Sequence, residues 1–357
     1  MPHRPDRPQV LDLFCGCGGL SLGAEQAGFR SALSIDQDLH LTSSFAHNFP
    51  SSNLRIADIG RESARAIKQA IGSKVDGVIG GPPCQGFSSI GRQDEDDPRR
   101  GLLLDFFRIV REVSPKFFLM ENVRGLAYER NRKVLDDGLQ LLPKRYRVIG
   151  PMLLNSASFG AATSRPRIFV FGYDTNEMRA FDPSMFEGGK SPVTVRDAIA
   201  DLGKLKPRGL DSSGFDLWSS EKDSSRSTYA QSLRGKTKLV TGHRKTPHKK
   251  EIVGRFATVP QGGKDEVGKH VRLSWTGQCP TIRAGTGSDR GSYQAVRPLH
   301  PTKDRVITVR EAARLQGFPD RFLFHPTTWH SFRMIGNSVS PIIAREILAV
   351  IYNGLKA

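Results

Sequence analysis

Short apolar runs alternate with stretches of helical spacing over the first 175 residues. The runs fall at Val10–Phe14, Ser31–Ile35, Val75–Ile79, Phe117–Met120 and Ile168–Gly172. Between them, Leu20–Ala27, Glu62–Ile71 and Leu103–Val113 repeat apolar positions every three or four residues. Strands alternating with helices predict an α/β domain over 1–173, built on a parallel sheet with right-handed crossovers. Ligands of such sheets sit beyond the carboxyl ends of the strands. Residues that carry chemistry are therefore expected directly after each run.

The texture changes near residue 174. Gly, Ser, Pro and Lys become frequent, as in KPRGLDSSGFDLWSSEKDSSRS, and long helical periodicity disappears. A smaller, loop-rich domain is predicted over 174–329, with Trp218, Phe256, Val271, Leu273 and Trp275 as its candidate core. Helical spacing returns at Thr308–Gln316, where Thr308 is placed to cap and Glu311 to close the box. A last helix is predicted from Pro341 to about Gly354, with Pro in its first turn and Gly at its end.

Composition narrows the class. With 357 residues, 38% hydrophobic and 20 Phe, the chain can bury a core, which excludes wholesale disorder. No apolar run approaches the ~20 residues that cross a bilayer, and MPHRPDRPQV offers no apolar stretch for a signal peptide. Four cysteines do not make a disulfide scaffold, so a cytoplasmic protein without a membrane partner is expected. The net charge is +17, and residues 203–310 carry 22 Lys and Arg against 9 Asp and Glu, which is +13 of it. Charge gathered in one segment, densest at HRKTPHKKE over 243–251, favours a nucleic-acid partner over a merely solvated loop.

The residues after the runs are distinctive. Phe14-Cys15-Gly16-Cys17-Gly18-Gly19 follows the first, and its glycines permit a tight turn and close ligand approach. Asp36 follows the second, where an acid can accept from ribose hydroxyls, and Asp58 follows another strand-like stretch, where a plain cap reads equally well. The dinucleotide fingerprint would need glycine at Ser21, which disfavours a nicotinamide oxidoreductase and points to another adenosyl ligand. After the third run, Gly80-Gly81-Pro82-Pro83-Cys84-Gln85-Gly86 builds a rigid loop around one cysteine, a setting suited to a thiolate nucleophile. Cys15, Cys17 and Cys279 are expected to be inert packing, and no Cys/His spacing suits zinc. Glu121 directly after the fourth run is placed for proton donation. Arg165 and Arg167, alternating at the start of the fifth, suit a clamp on a polar ligand, or an ordinary surface.

DLFCGCGGLSLG, GGPPCQGFS, MENV, SRPRIFVFG, VREAARLQGFPD and IGNSVSP stand in the order found in DNA (cytosine-5-)-methyltransferases, which the chain resembles over about 10–173 and 280–350. The resemblance implies a Rossmann-like S-adenosylmethionine domain, completed by 330–357, and a target-recognition domain between. Phe14, Gly16, Gly18 and Asp36 would bind S-adenosylmethionine, with Asp58, Ile59, Pro83 and Leu102 about its adenine and Asn337 beside it. Cys84 would add to C6 of a flipped-out cytosine, Glu121 would hold N3 with a raised pKa, and Arg165 and Arg167 would steady the base, with no metal needed. Arg244, Lys245, Lys249, Lys250, Arg283 and Arg290 are the candidate contacts to double-stranded DNA. A bacterial or phage-like modification enzyme is implied, sufficient as a monomer and able to pair with a cognate restriction endonuclease.

Two positions depart from the family pattern. Thr163 stands where glutamine is common, and Asp36 is one methylene shorter than the usual glutamate. Two rivals share the motifs. A tRNA cytosine methyltransferase would keep Cys84 and Glu121 but has less use for the long basic segment, and an inactive DNA-binding regulator has no use for either catalytic residue.

Overall fold

The computed structural model describes residues 7–83, 101–219, 227–236, 238–285 and 296–355. Strands β1 (Gln9–Leu13), β2 (Arg30–Asp36), β3 (Asn53–Ile56), β4 (Gly77–Gly80), β5 (Phe117–Asn122), β6 (Tyr146–Asn155) and β7 (Pro166–Asp174) form one sheet in the order β3-β2-β1-β4-β5-β7-β6. The first five pair in parallel, and β7 runs antiparallel to both β5 and β6. All five apolar runs became strands. The strand-like stretch before Asp58 is β3, with four residues and no buried position, whereas the sequence pattern did not reveal β6, where Tyr146 and Ile149 are buried and the other positions are exposed or half-buried.

Helices α1 (Gly19–Ala27), α2 (Phe45–Asn48), α3 (Ala64–Ile71), α4 (Gly101–Val113) and α5 (Glu129–Gln140) connect these strands. Under them Leu11, Leu13, Val78, Phe106, Phe107, Phe118 and Met120 are fully buried. Gly172 is what lets two strands close on one aromatic ring, since a Cβ there would stand 2.1 Å from the Phe118 ring. The order of successive strands reverses at β1, with β2 and β3 on one side and β4 and β5 on the other, and ligands of open α/β sheets gather outside such a switch point. The loops after β1 and β4 both leave from it.

The chain divides into two compact units: Met1–Asn155, Pro166–Gly189 and Ile343–Ala357 form one, and Ser156–Arg165 and Lys190–Ile342 the other. The sequence boundaries at 173/174 and 329/330 fall elsewhere. Residues 174–189 look like loop yet carry Phe181 and Phe186, which pack on Phe171 of β7. Residues 156–165 pass to the second unit because Thr163–Ser164 pairs with Cys279–Pro280. In the first unit, Gly23 of α1 lies so close to Ala344 that a Cβ would meet it at 2.3 Å.

The second unit contains short helices, α6 (Val195–Ile199), α7 (Thr228–Arg234), α8 (Lys250–Ala257), α9 (Val309–Gln316) and α10 (Thr328–Asn337), and a three-stranded sheet of β8 (Lys206–Leu210), β9 (Asp216–Ser219) and β10 (Leu239–Val240). Of the expected core, Phe256 and Leu273 are buried, while Trp218, Val271 and Trp275 are only half-buried. The capping box at α9 is present as the sequence predicts. Every residue of α9 is buried, its charged ones included. Arg310 donates to the carbonyls of Thr241, Pro319 and Phe322, and Arg314 forks onto Asp320 at 2.6 and 2.8 Å, so the charges are matched and the cost of burial is offset. Helix α11 runs Pro341–Asn353. Thr328–Asn353 is long and apolar enough to cross a membrane, but 72% of its apolar window is buried inside the protein, as in a core helix.

Candidate active site

The turn leaving β1 is made possible by unusual backbone angles: φ is +59° at Phe14, +51° at Gly16 and +92° at Gly18. Gly18 is required by packing, because a Cβ would lie 2.3 Å from the Phe49 ring. Gly16 differs, since a Cβ there would meet nothing within 4 Å. Its N–H donates to Asp36 Oδ2 at 2.8 Å, and the Asp38 N–H donates to Oδ1 at 2.8 Å. One carboxylate at the tip of β2 thereby fixes the turn after β1. Burial raises the Asp36 pKa, partly opposed by these backbone bonds.

Asp58 follows β3 and caps the turn Ile59–Arg61 through the Gly60 N–H at 3.0 Å, so the plain reading of this acid as a cap is realised. The Ile59 side chain is in the core. Gly60 and Leu102, at the start of α4, are neighbours, with Leu102 Cδ2 3.8 Å from where a Cβ would stand. Pro83 is half-buried in the loop after β4.

Glu121 and Asn122 end β5 and both address that loop. Glu121 Oε1 pairs with Arg167 Nε at 3.0 Å, and its Oε2 would lie 3.2 Å from a Cβ on Gly81. Because β7 is antiparallel, its first residues sit at the carboxyl edge of β5, which is why Arg167 reaches Glu121. Asn122 Nδ2 donates to the Pro82 carbonyl at 3.1 Å, while its Oδ1 accepts from the Val123 N–H at 2.8 Å. Asn122 thus ties the segment leading to Cys84. Cys84 and Arg290 lie outside the described residues.

Arg165 belongs to the second unit and is 2% exposed. It donates to the Gly336 carbonyl at 2.8 Å and reaches that of Ile282 at 3.4 Å, joining the end of α10 to the segment that follows Cys279–Pro280. Gly336 is fitted to this contact, as a Cβ would stand 2.4 Å from the Ala284 nitrogen. Asn337 is exposed at the end of α10. Thr163, the departure from the family pattern, donates to the Cys279 carbonyl at 3.2 Å. Arg244, Lys245, Lys249, Lys250 and Arg283 are all exposed. Lys249 caps α8 and Lys250 opens it, where a cation opposes the helix dipole and does nothing for the helix itself.

Sequence reasoning missed Asp12 and Asn122 as parts of this edge. Asp12 is wholly buried within β1, and burial pushes its pKa up to about 7 despite the Ser21 hydroxyl, which donates to Oδ2 at 2.5 Å. The signal was an acid set inside an apolar run, Val-Leu-Asp-Leu-Phe. Ser21, where a dinucleotide site would place glycine, is the residue that reaches back to it. Burial raises the Cys15 thiol, helped by Asp12 and Asp36, and burial alone raises that of Cys279. Both stay protonated, as inert packing requires.

A glycine turn, an acid twenty residues on, and a Glu–Arg pair beside a Pro-rich loop together match a known pattern. The sequence profile of C-5 cytosine-specific DNA methylases fits residues 9–353. The chain belongs to that family. It is a DNA (cytosine-5-)-methyltransferase, and such enzymes take their methyl group from S-adenosylmethionine. Among its relatives is the Type II methyltransferase M.XorII of Xanthomonas oryzae pv. oryzae, 37% identical over 98% of this chain and 86% of the relative. Another is the Type II methyltransferase M.DdeI of Desulfomicrobium norvegicum, 30% identical over 95% and 87%. A crystal structure of an E. coli prophage protein assigned as a DNA modification methyltransferase covers 97% of this chain and 99% of its own, at 37% identity and a TM-score of 0.84. The S. pombe Dnmt2 methyltransferase, 18% identical over 97% and 99% with a TM-score of 0.64, shares the fold.

Proposed function

We propose that this methyltransferase modifies C5 of a cytosine flipped out of a short double-stranded DNA sequence, through a covalent bond from Cys84 to C6. The observation that carries the reading is the carboxyl edge of β5. There one residue pairs with Arg167 through one oxygen, presents its other oxygen to the Gly81 segment, and is followed by an amide bonded to Pro82.

C5 of cytosine is a weak nucleophile. Addition of the Cys84 thiolate to C6 turns the ring into an enamine, and a proton shared between Glu121 Oε2 and N3 draws electron density that way. Arg167 holds Glu121 by Oε1, so that Oε2 is the oxygen offered to the base. Arg165 acts one step further back, by setting the Gly336 and Ile282 backbone. Once C5 carries the methyl group beside its hydrogen, loss of the C5 proton expels Cys84 as thiolate and restores the aromatic ring.

The methyl donor fits the turn after β1. Gly16 has open space where a side chain would be, and a carboxylate offers about four acceptor sites, so Asp36 keeps room for a sugar hydroxyl beside its backbone bonds. Phe14, Gly16, Gly18 and Asp36 would hold it, with Asp58, Pro83 and Leu102 near its base and Ile59 contributing backbone, since the Ile59 side chain is in the core. Asn337 is carried over from the family pattern alone. S-adenosylmethionine supplies an electrophilic methyl group when bound. The second unit is the DNA reader, through Arg244, Lys245, Lys249, Lys250, Arg283 and Arg290. The enzyme would act where cellular DNA lies, in the cytoplasm, as the modification half of a restriction–modification pair.

The test is covalent trapping. Duplex DNA carrying 5-fluorocytosine at the target has no C5 proton to lose, so wild-type protein supplied with S-adenosylmethionine should accumulate as a protein–DNA adduct. Cys84→Ser should give no adduct and no turnover while still binding DNA. An adduct in the variant would refute the nucleophile assignment, and wild-type turnover on tRNA alone would refute the DNA reading.

A further inference from the structure

We infer that Arg244 is a base-reading residue that recognises a guanine of the target sequence. The inference rests on the DNA-reading role proposed for the second unit and names the residue that gives it specificity. Asp216 of β9 receives four donors on one carboxylate: the Gly242 N–H at 2.8 Å, the His243 N–H at 2.9 Å, the Arg244 N–H at 2.7 Å and the Trp218 indole at 2.6 Å. The same turn is pinned from behind by α9. Arg310 donates its N–H to the Gly242 carbonyl at 2.7 Å and its guanidinium to the Thr241 carbonyl at 2.9 Å. Gly242 needs its φ of +73° there, and a Cβ would press on Val309 at 3.1 Å. The His243 ring is buried between Thr308 Oγ1 at 3.1 Å and the edge of Trp218.

The residue that follows this anchored turn is exposed. Arg244 borders a small recess lined by Phe215, Phe324 and Pro326, and among the described residues its guanidinium has no hydrogen-bond or ion-pair partner. A phosphate contact needs neither fixed backbone nor a fork, and Lys245, Lys249 and Lys250 nearby can make such contacts as point charges. An acid beneath the arginine's own backbone even works against attraction of phosphate. What Asp216 provides is placement. A planar fork on an immobile mount suits the paired acceptors N7 and O6 of guanine in the major groove.

The test compares methylated sequences in a methylation-free host expressing wild-type protein, Arg244→Ala or Arg244→Lys. Wild type should modify one short sequence that contains guanine. Arg244→Ala should accept other bases at one guanine position, with discrimination there reduced about 10- to 100-fold and the other positions kept. Arg244→Lys should relax the same position although the charge remains. Unchanged sequence preference in both variants, with activity lowered evenly and a shallower salt dependence for Arg244→Ala, would make the residue a phosphate contact and overturn the inference. A wild-type target with no G·C pair besides that of the methylated cytosine would overturn it too. Failure of the DNA-reading role is read separately, from the wild-type strain alone, as an absence of methylated DNA.

Discussion

Two arginine–carboxylate pairs, one in each compact unit, have similar lengths and different surroundings. Arg167–Glu121 spans 3.0 Å at the strand edge with side chains 15% and 10% exposed, and Arg314–Asp320 spans 2.6 Å with both at 0%. Arg314 also reaches Asp201 at 3.1 Å and the Ala198 carbonyl at 3.0 Å, so its guanidinium is saturated by protein. Glu121 Oε2 faces Gly81, 3.2 Å from where a Cβ would stand there. A saturated buried pair holds structure together, whereas a pair with one oxygen turned to a loop is placed for chemistry.

Breaking each pair should therefore damage a different property. Glu121→Gln removes the proton-sharing oxygen and should lower kcat about 10²- to 10⁴-fold while urea unfolding stays close to wild type. A large stability loss with near-normal kcat would merge the two pairs into one class. Arg314→Ala leaves buried Asp320 and Asp201 with Arg234 as their remaining cation, at 2.7 and 3.4 Å, and should cost about 3 kcal/mol by the same unfolding measurement.

The contrast extends to pH. Glu311, in the second unit, is held down to about 2 from 4.5: burial alone would raise it, and the Arg305 fork and nearby histidines outweigh that. A depressed carboxyl stabilises above its unfolded value, and that stability is lost as pH falls from 4.5 toward 2. Asp12, in the first unit, goes the other way, from 3.8 to about 7. The folded state holds a proton there that the unfolded state has lost, so stability falls as pH rises from 3.8 to about 7. Asp12→Asn should flatten that part of the profile, seen by urea unfolding between pH 4 and 7. The smallest effect is expected of Asn122→Ala, which frees the Pro82 carbonyl: kcat should drop about 10-fold with S-adenosylmethionine binding little changed, since it acts only through the loop.

What the sequence disclosed follows the reach of each interaction. The strands, the box at Thr308 and Glu311, and the last helix depend on residues within a few positions, so periodicity and capping rules found them. The order of motifs then pointed to the family and singled out Glu121 and Arg167 separately, while their pairing came from the antiparallel register of β5 and β7. Long-range partners were hidden. Asn122 acts on a carbonyl 40 residues away, Arg165 on one 171 away, and Asp216 on a turn 26 to 28 away. Nothing local to those residues marks the partner. The unit boundaries escaped for the same reason, because 174–189 has the composition of a loop and the packing of a core.

Methylation of cytosine in a defined DNA sequence is the activity proposed for this chain. Bisulfite sequencing of genomic DNA from a methylation-free host expressing the protein tests it directly. 5-Methylcytosine is expected at one short recurring site and is expected to be absent when Cys84→Ser is expressed. Unmethylated genomic DNA alongside folded protein that binds S-adenosylmethionine would contradict it.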